Sequence, residues 1–252
     1  MGETSQRLST VKAILFDLHE TLTYTNEGIL TLMRKISKEV GLDLTTFTDD
    51  DLNKAQEKVL EWMVSYQIDN DVDIHFGSEV EHWTDANRLT YETLGFGDVT
   101  DDTLITVEEL WKEELNSWEL LRSDTKSTLS ELKRRGYQLG ICTRRQDDPQ
   151  ELLKKWGILE FISTIQWSSV PGYSKPSPYT LILAADEMGV NPLRCAFVGN
   201  YVDSDILAAT RAGMVPVLTT WADAEEAQKA PEGTYIIGEI TELLDHFEGL
   251  AD

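Results

Sequence analysis

The sequence predicts an α/β fold: a parallel sheet with helices on both faces, interrupted after its first strand by an all-helical insertion. Three observations predict it. From about residue 120 to the end, short apolar runs alternate with segments of helical period, the pattern that builds parallel sheets. Residues of about 25 to 120 carry the helical period alone. An apolar run, "VKAILFDLH", precedes that block and reads as a buried strand of the same sheet. The expected division is therefore a core of residues 1–24 and 120–252 around an insertion of residues 25–119.

The elements follow in order. In the insertion, Ile29, Leu32, Met33, Ile36 and Val40 share one helical face that ends at Gly41. "TDDDL" opens a second helix with acids suited to a helix N-terminus, and Leu52, Ala55, Val59, Leu60 and Met63 form its apolar stripe. A third runs near residues 79–94 through Val80, Trp83, Tyr91 and Leu94. A fourth follows "VTDDT" through Leu104, Val107, Trp111, Leu115 and Trp118. The core then reads helix "SDTKSTLSELKRRG", strand "YQLGICT", helix "DPQELLKKWG", strand "FISTIQW", helix "SPYTLILAADEMG", strand "CAFVG", helix "DSDILAATRAG" and strand "MVPVLT". "TYIIG" and "EITELLDHF" close the chain.

Charge narrows the function. The chain has 45 acidic and 22 basic residues, a net charge of −23. So negative a surface repels phosphodiester backbones and anionic lipid, so neither a nucleic-acid nor a membrane partner is expected. The start, "MGETSQ", has no signal-peptide core and lacks the hydroxyl at its sixth position that a myristoylation signal needs. Two cysteines, Cys142 and Cys195, lie in apolar runs and read as packed thiols of a cytoplasmic protein. No sequence feature specifies an oligomeric state.

Ligands of open parallel sheets sit beyond the carboxyl ends of the strands. Asp17 and His19 follow the first strand, and Thr143, Arg144 and Arg145 follow "YQLGIC". Lys175 follows "STIQW", and Asn200, Asp203 and Asp205 follow "CAFVG". A carboxylate, a hydroxyl, a cation and a carboxylate-rich loop are thus expected on one edge.

These four loops, in this order, resemble the haloacid dehalogenase (HAD) superfamily of aspartate-nucleophile hydrolases: "LFDLHETLT", "LGICT", "GYSKPSPYT" and "FVGNYVDSDILAATRAGM". The resemblance covers the core and places the insertion where that family carries a helical cap. It implies a three-layer, Rossmann-like core and a magnesium-assisted phosphomonoesterase acting on a small phosphorylated metabolite. Asp17 would attack phosphorus and form an aspartyl-phosphate. Thr143 would hold phosphate oxygens, and Lys175 would neutralise nucleophile and transferring group. Mg2+ would be held by Asp17, the backbone carbonyl of His19, Asn200 and Asp205.

Two positions depart from the pattern. His19 stands where phosphatases of the family usually carry Asp. An imidazole can donate and accept a proton near neutral pH, or it can serve as a hydrogen bond at the cap hinge beside a slowly hydrolysed phosphoenzyme. Asn200 replaces an acid that usually binds magnesium, and a lost unit charge at ~4 Å is worth up to about 4 kcal/mol at an effective dielectric near 20. Asp205, with Asp203, either offsets this loss or caps the following helix. Arg144 and Arg145 either gather a substrate anion or pair with the nearby "QDD". The departures leave two alternatives: a metal-independent dehalogenase, for which Arg34 lies on the first cap helix, and a catalytically impaired binding or regulatory protein. His75, His82 and His246 lack metal-site spacing.

Overall fold

The computed structural model describes residues 8–25, 27–70, 75 and 80–250, without the side chains of residues 80–82 and 116. The "MGETSQ" segment and the side chains of Val80 and His82 therefore lie outside the described residues. The chain divides into two compact units, Met1–Tyr24 with Leu120–Asp252, and Thr25–Glu119.

The first unit is built on a six-stranded parallel sheet. Its strands are β1 (Ala13–Phe16), β4 (Gln138–Thr143), β5 (Ile162–Trp167), β6 (Cys195–Gly199), β7 (Val215–Thr219) and β8 (Tyr235–Ile237), in the spatial order β5-β4-β1-β6-β7-β8. Side-chain alternation with period two divides the strands between two apolar layers. Ile14, Phe16, Leu139, Ile141, Ala196 and Val198 face one layer, which is completed by Leu129, Leu132, Leu153, Leu243 and Phe247. Ala13, Leu15, Cys142, Cys195 and Phe197 face the other, against Leu181, Ala184, Ala185, Ala208 and Ala209. The first layer's helices are α5 (Thr125–Arg134), α6 (Gln150–Lys155) and α9 (Leu243–His246). The second layer's are α7 (Tyr179–Glu187) and α8 (Leu207–Ala212). Each fully buried Leu, Ile or Phe contributes roughly 1.5–3 kcal/mol, and every residue of β1, β6 and β7 is buried. Gly140 in β4 is a packing requirement, because a Cβ there would lie 2.6 Å from a Leu15 methyl and 2.7 Å from a Thr164 methyl.

Register positions the functional edge. Phe16 of β1 lies opposite Ile141 of β4 and Val198 of β6. The residues that continue these strands, Asp17, Cys142–Thr143 and Gly199–Asn200, therefore emerge side by side. The predicted helix "DSDILAATRAG" opens as a π-helical turn, Val202–Ile206, before α8. "EITELLDHF" likewise splits into a 3₁₀ turn, Ile240–Glu242, and the short α9.

The second unit contains α1 (Ile29–Glu39), α2 (Asp49–Asn70), α3 (Val80–Thr93) and α4 (Asp101–Trp118) among the described residues. Its core includes Leu32, Met33, Ile36, Leu52, Ala55, Tyr91, Leu94, Leu104 and Val107, close to the predicted stripes. Leu60 departs from its stripe and is exposed, since it lies about 100° round the helix from Val59. Thr100 caps α4 by accepting the Thr103 N–H at 3.3 Å. The chain leaves the core through β2 (Thr23–Thr25) and returns through β3 (Glu119–Leu121), which pair as a two-stranded ribbon. No helix among the described residues is long and apolar enough to cross a membrane.

Candidate active site

Asp17 is delivered by β1. Its N–H donates to the Val198 carbonyl at 2.8 Å, extending the ladder with β6 by one residue and fixing the carboxylate at the strand end. Asp17, Lys175 and Asp205 are 7%, 2% and 2% exposed. The Lys175 Nζ lies 2.5 Å from Asp17 Oδ1 and 2.7 Å from Asp205 Oδ1, and 5.0 Å from the centre of the Phe197 ring. One ammonium thus serves two carboxylates, which leaves one surplus negative charge in a nearly dry site. Burial drives the Asp17 carboxyl up, Lys175 pulls it down and Asp205 raises it again, and it settles at about 6. Burial pulls the Lys175 ammonium down, but the two carboxylates more than offset this and hold it above its ordinary range.

Asp205 is oriented by the loop it closes. Its Oδ2 accepts the N–H groups of Asn200 and Tyr201, each at 3.1 Å. A side chain at Gly199 would forbid this, because its Cβ would lie 2.4 Å from that of Asp205. The loop is held from its far side by the buried Glu226, which accepts the Val202 N–H at 2.8 Å and pairs with Lys229. Asp205, not Asp203, binds these backbone donors; Asp203 is exposed. Both Asp205 oxygens accept from protein donors, which holds Lys175 and the loop in place.

Thr21 is a site residue that sequence reasoning missed. It is fully buried, and its hydroxyl lies 3.4 Å from Asp17 Oδ2 and 3.2 Å from Asn200 Oδ1. Its carbonyl accepts the Trp221 indole N–H at 3.3 Å. The available signal was a hydroxyl four residues after Asp17, in the stretch "AILFDLHETLT". Glu20, just before it, adopts φ 55° and accepts the Asn200 amide N–H at 3.3 Å.

Thr143 ends β4 and is buried. Arg145 is committed to Asp147 by a two-pronged contact at 3.0 and 3.2 Å. Arg144 is exposed and makes no ion pair among the described residues. Of the two roles left open for the arginines, Arg145 takes the pairing with the "QDD" segment. His19 lies half-buried two residues beyond Asp17. In the other unit, Arg34 is occupied by Asp49 at 2.8 Å and by the Phe47 carbonyl at 3.0 Å. Cys142 and Cys195 are free and buried. Burial raises both thiols, Cys195 to about 12.

Among the described residues, no group of three or more His, Cys, Asp or Glu forms a metal-holding cluster. Magnesium does not require one, since one or two carboxylates, substrate phosphate and water satisfy it. Asp17 Oδ2 and Asn200 Oδ1 converge on the Thr21 hydroxyl, and the surplus charge beside them favours a cation. The residues present fit a hard dication with oxygen ligands.

Comparison with known proteins places this geometry. Residues 11–213 match the family model described as haloacid dehalogenase-like hydrolase. The chain is 30% identical over 246 residues, covering 93% of its length and 99% of the relative's, to a glyceraldehyde 3-phosphate phosphatase of Methanothermobacter thermautotrophicus. Two solved structures share the fold. A predicted phosphoglycolate phosphatase from Haemophilus somnus 129pt matches with TM-score 0.65 at 23% identity, over 94% of this chain and 97% of that one. A 2-haloacid dehalogenase from Pseudomonas syringae pv. Tomato DC3000 matches with TM-score 0.67 at 19% identity, over 94% and 98%. The predicted fold class and the resemblance both hold. The chain belongs to the haloacid dehalogenase-like hydrolase family.

Proposed function

We propose that this hydrolase is a magnesium-assisted phosphomonoesterase that removes phosphate from a small phosphorylated metabolite through an aspartyl-phosphate on Asp17. The observation that carries the reading is the buried contact of Lys175 with Asp17, 2.5 Å from ammonium to carboxylate. The relative named glyceraldehyde 3-phosphate phosphatase supports the substrate class.

Asp17 Oδ2, which converges with Asn200 Oδ1 on Thr21, would be the oxygen that holds a metal. That leaves Oδ1 to attack phosphorus in line while the bond from phosphorus to the leaving oxygen breaks. Lys175 beside Oδ1 offsets the charge spreading over the phosphoryl oxygens. The Thr143 hydroxyl and nearby backbone N–H groups bind those oxygens. His19 donates a proton to the leaving alkoxide, then takes one from the water that splits the acyl phosphate. Magnesium would be held by Asp17, the His19 carbonyl, Asn200 and Asp205, and when bound would supply charge neutralisation between carboxylate and phosphate. Arg144, exposed at the end of β4, draws the substrate anion in against the negative net charge. The unit of residues 25–119 is assigned the role of substrate-selecting cap, and the two free thiols suit a cytoplasmic, reducing setting.

Turnover of a chromogenic phosphate ester tests the reading, with magnesium, with chelator, and with Asp17→Asn. Metal-dependent turnover that disappears in the variant is expected. Chelator-insensitive halide release would instead establish the dehalogenase alternative, and silence in both assays over a broad substrate panel would leave a binding protein.

A further inference from the structure

The Asn200 side chain sits between two neighbours of opposite demand. Its Nδ2 donates to Glu20 Oε2 at 3.3 Å, while its Oδ1 lies 3.2 Å from the Thr21 hydroxyl, which also approaches Asp17 Oδ2 at 3.4 Å. A carboxylate only accepts hydrogen bonds, so the edge facing Glu20 must be the NH2 group. The carbonyl oxygen is thereby turned toward Asp17, the direction from which a cation would be shared. The reverse rotamer would aim two N–H donors at that cation.

The backbone adds an independent observation. Glu20 is the sole non-glycine residue with positive φ among the described residues, at 55°. L-residues with a β-carbon disfavour this region, and such strain persists where the surroundings over-determine it, often at functional sites. A side chain is kept here at a conformational cost, and its carboxylate meets Asn200.

We infer that Glu20 is a positioning residue for the cation site: it locks the Asn200 amide with its oxygen inward, and supplies one shell out the negative charge the amide lacks. This rests on the magnesium reading above. Outer-shell partners of this kind orient direct ligands and tune their affinity.

Calorimetric titration of the full chain with Mg2+ tests it, using wild type, Glu20→Gly and Glu20→Gln, each also combined with Asn200→Asp. Glu20→Gly is expected to weaken binding about tenfold, the low end for an outer-shell partner, because Glu20 is exposed. Glu20→Gln keeps an acceptor for Nδ2 and should lose less. With Asn200→Asp the loss should shrink: a carboxylate presents an oxygen inward in either rotamer, so Glu20→Gly then removes only the attraction of its charge. Glycine also relieves the positive φ, so the melting temperature of Glu20→Gly in chelator should not fall. An equal loss in both backgrounds, no loss in either, or a melting temperature that drops with affinity would overturn the inference while leaving magnesium binding intact. Absence of binding in every protein would overturn the magnesium reading and this inference with it.

Discussion

The ammonium of Lys175 lies 2.5 Å from the carboxylate of Asp17, with the two side chains 1% and 9% exposed. The pair is not neutral, because Asp205 shares the same ammonium at 2.7 Å. A phosphatase site of this kind is poised for a cation and a phosphate, and stability is lost to keep it so.

That loss has a sign in pH. The Asp17 carboxyl is raised from 3.8 to about 6, first by burial. The folded chain therefore holds a proton where the unfolded chain has released it. Its contribution to stability is full below pH 4 and disappears as pH rises through 6. Asp17→Asn removes the titration and leaves Lys175 paired with Asp205. Chemical denaturation in chelator should find this variant about 1–3 kcal/mol more stable than wild type above pH 6.5, the gain shrinking toward pH 4. A pH-independent difference would contradict the assignment.

Lys175→Met should act in the opposite direction. It strands two buried carboxylates with no counter-charge, a change that costs about 3–5 kcal/mol. Melting temperature should fall sharply at neutral pH and recover in part under mild acid, where a carboxyl can take up a proton. Phosphatase activity should drop at least about 10²-fold even at temperatures where the variant remains folded.

Thr21→Val keeps shape and volume and removes one hydroxyl that touches both Asp17 and Asn200. Stability should change by about 1 kcal/mol, whereas the magnesium concentration for half-maximal activity should rise several-fold. An unchanged metal requirement would remove Thr21 from the site.

Arg144 and Arg145 should separate cleanly. Arg144→Ala deletes an exposed cation with no ion pair among the described residues and should raise KM with little effect on kcat or melting temperature. Arg145→Ala breaks the two-pronged contact with Asp147 and should reach the kinetics only through the conformation of the loop after β4. Salt should weaken substrate binding in wild type more than in Arg144→Ala.

Much of this was legible in the sequence because strand ends are easily located. Apolar runs that stop at Asp17, Thr143 and Gly199 mark the edge where a parallel sheet presents its chemistry, and Lys175 follows the fourth such run. What escaped was side-chain direction inside the loops. "NYVDSD" offers two acids, and only the π-helical turn and the side-chain-free Gly199 decide that Asp205 folds back while Asp203 faces solvent. Thr21 reads as an ordinary strand or turn residue until its hydroxyl is seen between Asp17 and Asn200. Neither the positive φ of Glu20 nor its reach to Asn200, 180 positions away, is encoded in local periodicity. Leu60 was misplaced because an apolar residue beside a stripe is not always part of it.

The most direct measurement is the covalent state of Asp17 during turnover. Rapid acid quench of the protein with magnesium and a reactive phosphate ester, followed by proteolysis and mass spectrometry, should reveal a phosphoryl adduct on the peptide containing Asp17. The adduct should persist longer in His19→Ala and be absent in Asp17→Asn. Steady turnover with no adduct on that peptide at any quench time in either wild type or His19→Ala, or an adduct that survives Asp17→Asn, would contradict the account.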